Sequence, residues 1–214
     1  MRITLPSGTP AELATANGDT GIGIALHPDI MGLRPLFDDH AARLAEDGFT
    51  TCVIEPWPGQ EDLPLEKRME APVDVDRVLG DLEAAADATE CDVVGVMGFC
   101  MGGMQTFRAA GTGRFHRAVS FYGMIVPPAP WRAQGRDPLD MLARPDACRT
   151  LAVLGGKDPY TPPDDIELLR ALPNVETALY PDAEHGFAHA PERPSHRADD
   201  AADAWRRALD FLRS

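Results

Sequence analysis

Apolar and amphipathic stretches alternate along almost the whole chain. Gly21 to His27, Thr50 to Ile54, Val93 to Met97, Val119 to Tyr122, Leu151 to Leu154 and Val175 to Tyr180 are short runs rich in apolar and β-branched residues. Consecutive apolar positions of this kind are what strands buried on both faces require. Between them the period changes. Leu33, Leu36, Phe37, Ala41, Leu44 and Ala45 recur at helical spacing, and Gly48 closes that helix. Val75, Val78, Leu79, Leu82 and Ala86 mark a second helix, and Met104 to Ala110 a third. Another is expected from Pro162 to Leu172, with Thr161 as its cap and Asp164 in its first turn. Ala198, Ala201, Ala202, Trp205, Leu209 and Leu212 carry the last.

Residues 2–5 and 11–16 read as an edge hairpin around Pro6-Ser7-Gly8-Thr9-Pro10. Residues 59–71 are polar and without period, and Pro127 to Pro138 is a proline-rich excursion. Strands alternating with helices predict an α/β fold, a mostly parallel twisted sheet with helices on both faces. No repeat or linker interrupts the pattern, so residues 1–214 are expected to form one domain.

Composition narrows the function classes. The apolar fraction of 44% and charged fraction of 25% are those of an ordinary globular protein. No run of apolar residues is long enough to span a bilayer, and Met1-Arg2-Ile3-Thr4-Leu5-Pro6 lacks a signal peptide's apolar core, so a cytoplasmic location is expected. A net charge of −14 argues against nucleic acid and anionic membrane as partners. A monomer is the default expectation. Cys52, Cys91, Cys100 and Cys148 have neither paired short spacing nor histidines at zinc-ligand offsets. They read as free thiols, three of them packing residues, and no metal or organic cofactor is expected.

Cys100 is the exception. Gly98-Phe99-Cys100-Met101-Gly102-Gly103 follows a predicted strand and opens a predicted helix. Gly-x-Cys-x-Gly in that context is the nucleophile-elbow pattern, with a thiol at its centre. The bend needs small residues two positions either side of the nucleophile, and it exposes the sulfur at the carboxyl end of the sheet. The Met101 N–H then becomes an oxyanion donor. The second donor is expected from the loop after the first buried strand, where Ile30 N–H in Pro28-Asp29-Ile30-Met31-Gly32 is the candidate.

An elbow nucleophile needs a base and an acid to orient that base, in the chain order nucleophile, acid, histidine. Asp158 follows a strand and a Gly155-Gly156 turn, and His185 in Ala183-Glu184-His185-Gly186-Phe187 follows the next strand. His40 and His116 are expected to face solvent, and His196 to lie in the first turn of the last helix.

These residues resemble the dienelactone hydrolases, α/β-hydrolases with a Cys-Asp-His triad and no lid domain. The resemblance rests on the elbow, Gly156-Lys157-Asp158, Glu184-His185-Gly186-Phe187, Phe121-Tyr122-Gly123 and Gly80-Asp81-Leu82-Glu83-Ala84-Ala85. It implies the α/β-hydrolase fold, with Cys100 as nucleophile, His185 as base and Asp158 as its orienting acid. It further implies a carboxylate that activates the thiol, at the place of Asp29, one methylene shorter than the family's glutamate. The family's two carboxylate-binding arginines have no match: His189 stands at one position, and the loop at Trp57-Pro58-Gly59 is too short to supply the other. Arg68 is out of register. Trp57, Tyr122, Phe187 and His189 are the candidate pocket residues.

The expected activity is hydrolysis of small carboxylic esters or lactones through a thioester on Cys100. A thioesterase or broad carboxylesterase with the same triad is the alternative within enzymes. A redox-responsive binding protein that uses Cys100 as an oxidisable thiol is the alternative outside them.

Overall fold

The computed structural model describes residues 1–18 and 20–214. Eight strands form one sheet: β1 (Arg2–Thr4), β2 (Pro10–Ala14), β3 (Ile22–His27), β4 (Thr50–Ile54), β5 (Val93–Phe99), β6 (Arg117–Phe121), β7 (Arg149–Gly155) and β8 (Val175–Tyr180). Their order across the sheet is β1-β2-β4-β3-β5-β6-β7-β8, antiparallel from β1 through β4 and parallel from β4 onwards. The helices are α1 (Pro35–Glu46), α2 (Leu65–Glu70), α3 (Val75–Ala88), α4 (Met101–Ala110), α5 (Pro138–Leu142), α6 (Pro163–Arg170) and α7 (Ala198–Arg213). This is the mostly parallel α/β sheet, covered on both faces, that the alternating pattern predicts.

One face buries Phe37, Ala41 and Leu44 of α1 and Trp205, Ala208 and Leu212 of α7 against Ile24, Leu26, Met97 and Val119. The other packs α3, α4 and α6, through Leu82, Phe107 and Leu169, onto Ala25, Val94, Val96 and Leu154. No helix among the described residues is long and apolar enough to cross a membrane.

Three expectations are corrected. The segment 59–71 is not wholly irregular, for it contains the six-residue α2, too short to show a period in the sequence. Thr161 does not cap α6: Pro162 holds the cap position, and the Thr161 hydroxyl is buried and has no partner among the described residues. His40 is buried rather than solvent-facing, because its Nε2 pairs with the His189 carbonyl at 2.8 Å across the α1–loop contact.

The topology fixes where the site lies. After β3 the chain moves outward to β4, then returns to lay β5 on β3's other side. Loops leaving the carboxyl ends of β3 and β5 therefore diverge and leave a crevice between them. His27 at the end of β3 is paired with Gly98 near the end of β5, which sets the loop after β3 beside the elbow.

Candidate active site

Cys100 sits at the β5–α4 turn with φ 57° and ψ −117°, a strained conformation for a residue with a side chain. Its N–H donates to the Phe121 carbonyl at 3.0 Å, so β6 holds the bend from one side. The β3 loop holds it from the other. A Cβ on Gly102 would lie 2.2 Å from the His27 oxygen and 2.4 Å from the Pro28 oxygen, and one on Gly98 would lie 2.2 Å from the Gly102 oxygen. These two glycines let strand, helix and loop approach closely enough to present the sulfur. Met101 begins α4, so its N–H has no acceptor within the helix. Ile30 lines the same cleft as Cys100.

Asp158 and His185 arrive on neighbouring loops. The two glycines before Asp158 let its loop rest on that of His185: a Cβ on Gly155 would meet the Ala183 oxygen at 2.5 Å, and one on Gly156 the Pro181 oxygen at 2.5 Å. Lys157 N–H donates to the Ala183 carbonyl at 2.9 Å and ties the loops together. His185 Nδ1 then donates to Asp158 Oδ2 at 2.7 Å, while Asp158 Oδ1 accepts the Tyr160 N–H at 2.8 Å. A carboxylate can only accept, so Nδ1 carries a proton, and Nε2 is the ring nitrogen left to exchange a proton with Cys100. Nε2 is buried and makes no hydrogen bond of proper geometry, although the Cys100 thiol interacts with the ring. Burial opposes charge on this imidazole, but Asp158 and Cys100 outweigh it and push the pKa up to about 10.

Cys100 and His185 open into one cleft of about 240 Å³, walled by Leu65 and Met69 of α2, Met124, Pro128, Trp131 and Tyr160. Its surface is mostly apolar. Arg193 stands at its rim, with a guanidinium nitrogen so close to Gly186 that a Cβ there would sit 2.5 Å away. Among the described residues no side-chain acceptor pairs with Arg193. Its sequence gives little signal, because it lies in a proline-rich loop without period.

The other pocket candidates fall elsewhere. Phe187 is fully buried against Tyr122 and Tyr180, with ring centroids 5.7 and 5.1 Å away. Tyr122, also fully buried, stacks edge-on to His185 at 5.2 Å and places its hydroxyl 2.5 Å from His189 Nδ1. His189 is buried behind it, and burial keeps its pKa below the ordinary value. Trp57 lines a separate cavity with Pro58, Val73 and Met101.

Asp29 does not stand free beside the thiol. Its two oxygens take Arg34 at 2.7 and 2.8 Å, with His189 Nε2 at 2.9 Å and Met31 N–H at 2.9 Å completing the set. Burial alone would raise its pKa, but His189 and Arg34 hold it far below the usual carboxylate range. A carboxylate so occupied is a poor base for Cys100 and a good anchor for the β3 loop. Among the described residues no group of histidine, cysteine and acid side chains gathers as a metal would require.

A strained elbow between β5 and α4, with an acid–histidine pair delivered after β7 and β8, defines an α/β-hydrolase. The chain belongs to the dienelactone hydrolase family, whose sequence profile matches residues 10–214, and it is a hydrolase of that family. It is 27% identical to a carboxymethylenebutenolidase of Rhodococcus opacus, over 97% of this chain and 87% of that one. It is 30% identical to a Bradyrhizobium protein named as a probable 2-oxo-3-(5-oxofuran-2-ylidene)propanoate lactonase, over 89% of this chain and 82% of the other. Among solved structures, a dienelactone hydrolase-like promiscuous phosphotriesterase from metagenomic libraries superposes with a TM-score of 0.74 at 19% identity, covering 99% of this chain and 96% of that one.

Proposed function

We propose that this protein hydrolyses small carboxylic esters or lactones through a thioester on Cys100. The observation that carries the reading is the Asp158–His185 hydrogen bond of 2.7 Å, with the free Nε2 edge in the same cleft as the strained Cys100.

His185 takes the thiol proton, and the sulfur attacks the substrate's carbonyl carbon. The carbonyl oxygen becomes an oxyanion held by the Ile30 and Met101 N–H groups. The C–O bond breaks, and His185 returns its proton to the departing alkoxide. Water then gives a proton to His185 and its oxygen to the thioester carbon. Collapse releases the carboxylic acid and restores the thiol. Asp158 remains ionised throughout and holds the imidazole in one tautomer.

The apolar cleft suits a compact acyl or alcohol group, and Arg193 adds one cation at its edge. The reading agrees with the lactone-hydrolysing names of the relatives. It is tested with a panel of activated esters and lactones, wild type beside Cys100→Ala. Turnover that vanishes in the variant is expected. Turnover that persists there would remove Cys100 from the mechanism.

A further inference from the structure

Arg68 is a buried cation on α2, only 3% exposed, and among the described residues it forms no salt bridge. Each of its three hydrogen bonds goes to a backbone carbonyl. Nε reaches the Leu63 oxygen at 2.7 Å, Nη1 the Ile30 oxygen at 2.9 Å, and Nη2 the Glu61 oxygen. Glu55 and Glu61 feel its charge without pairing with it directly, and burying a charge that makes no direct ion pair is costly, so an apolar side chain would fill the space at lower cost. What a guanidinium adds is several donors in one rigid fork.

The carbonyl it grips has a second donor. Trp57 Nε1 also donates to the Ile30 oxygen, at 2.9 Å, so both lone pairs of that carbonyl are occupied. The preceding peptide is fixed as well. The Asp29 carbonyl accepts the Gly32 N–H at 3.1 Å, and in a trans peptide the Ile30 N–H points the opposite way. Leu33 N–H and Trp57 N–H are received by the two oxygens of Glu55, at 2.9 and 2.7 Å. Trp57 is thereby held at its backbone while its indole reaches Ile30.

We infer that Trp57 and Arg68 are positioning residues: they clasp the Ile30 carbonyl and so aim the Ile30 N–H at the oxyanion formed on the acyl group. The clasp also ties that loop to α2. Leu65 and Met69, three residues before and one after Arg68, line the substrate cleft while Arg68 points inward. A shift of this wall and a shift of the oxyanion donor are then one motion. Arg68 is consequently unavailable to bind a substrate anion.

The inference rests on the proposed acyl-transfer reading. It is tested by steady-state hydrolysis of one activated neutral ester with wild type, Trp57→Phe, Arg68→Gln, Arg68→Lys and Cys100→Ala. Cys100 alkylation by iodoacetamide is followed in parallel for all except Cys100→Ala. Trp57→Phe keeps an aromatic ring, though a smaller one, and removes one donor, so kcat is expected to fall about tenfold with KM within about twofold, part of the loss a whole oxyanion donor carries. Arg68→Gln is expected to lose more, and Arg68→Lys to recover part of it. Alkylation rates should stay at the wild-type value, because nucleophile and base are untouched.

Unchanged kcat in folded Trp57→Phe would overturn the clasp, and so would an alkylation rate that falls with kcat. If Arg68→Gln does not fold, Trp57→Phe still decides. Turnover surviving in Cys100→Ala would sink the acyl-transfer reading and the clasp together. A dead Cys100→Ala beside a fully active Trp57→Phe would sink the clasp alone.

Discussion

Arg193 lines the rim of the cleft that holds Cys100 and, among the described residues, pairs with no carboxylate, so a cation there would favour a substrate carrying an anion. A substrate carboxylate placed at the rim would gain a charge-assisted hydrogen bond that a neutral ester cannot make. Arg193→Gln is expected to raise KM for an ester carrying a carboxylate about tenfold, while KM for a neutral ester of the same size moves less than about twofold. Paired kinetics on two such esters check this, and equal effects on both would remove Arg193 from recognition. The resemblance drew attention to two arginine positions without a match, and nothing in the sequence pointed to Arg193. Arg193 is placed by the fold of the loop after β8, over the Cα of Gly186, which has φ 76°. His189 illustrates the same limit. Its sequence position suggests the pocket, yet the structure sends it into the interior between Tyr122 and Asp29.

At the scale of elements, the elbow is a close approach of three backbones rather than a turn in isolation. Gly102→Ala would drive a Cβ against the His27 and Pro28 carbonyls, neither of which can swing away as a side chain could. The β3 loop would have to move, and with it the Ile30 N–H proposed as an oxyanion donor. A loss of about 1–3 kcal/mol is expected in urea unfolding, the usual range for overpacking, together with a fall in kcat. An unchanged urea midpoint would show that the loop gives way freely. The elbow was legible because its requirements are local: small residues at fixed offsets between an apolar strand and a helix. The short α2 was not legible, because what holds it is Arg68 reaching across to Ile30 and back to Leu63.

For the whole molecule, buried histidines set the acid limit of stability. Burial lowers His27 and His40 from 6.5 to about 4, although the Pro28 and His189 carbonyls act against it. Between pH 6.5 and 4 the unfolded chain therefore binds protons that the folded chain refuses, so stability falls as pH falls. Each such histidine contributes a slope of about 1.4 kcal/mol per pH unit in that window. His185 has the opposite sign and another window. Its raised pKa adds stability that is complete below 6.5 and lost as pH rises towards 10, so it gives no slope in the acid range. Thermal melts from pH 7 to 4 should show Tm falling steadily, and His40→Gln should flatten the curve. A Tm independent of pH across that range would contradict the burial of both histidines as neutral groups.

The sequence by itself determined the strands, the main helices and the order in which Cys100, Asp158 and His185 follow β5, β7 and β8, because periodicity and turn chemistry act over a few residues. Tertiary structure decided what depends on distant partners. Asp29 meets His189 across 160 positions, and His40 meets the same loop across 149. Those contacts pair the Asp29 carboxylate with Arg34, His189 and Met31 N–H, and put two histidines read as surface or pocket residues into the core. The walls of the cleft were decided likewise, since they come from α2, the loops after β6, β7 and β8 and the short 3-10 turn at Ala129–Trp131, which only the sheet order brings together.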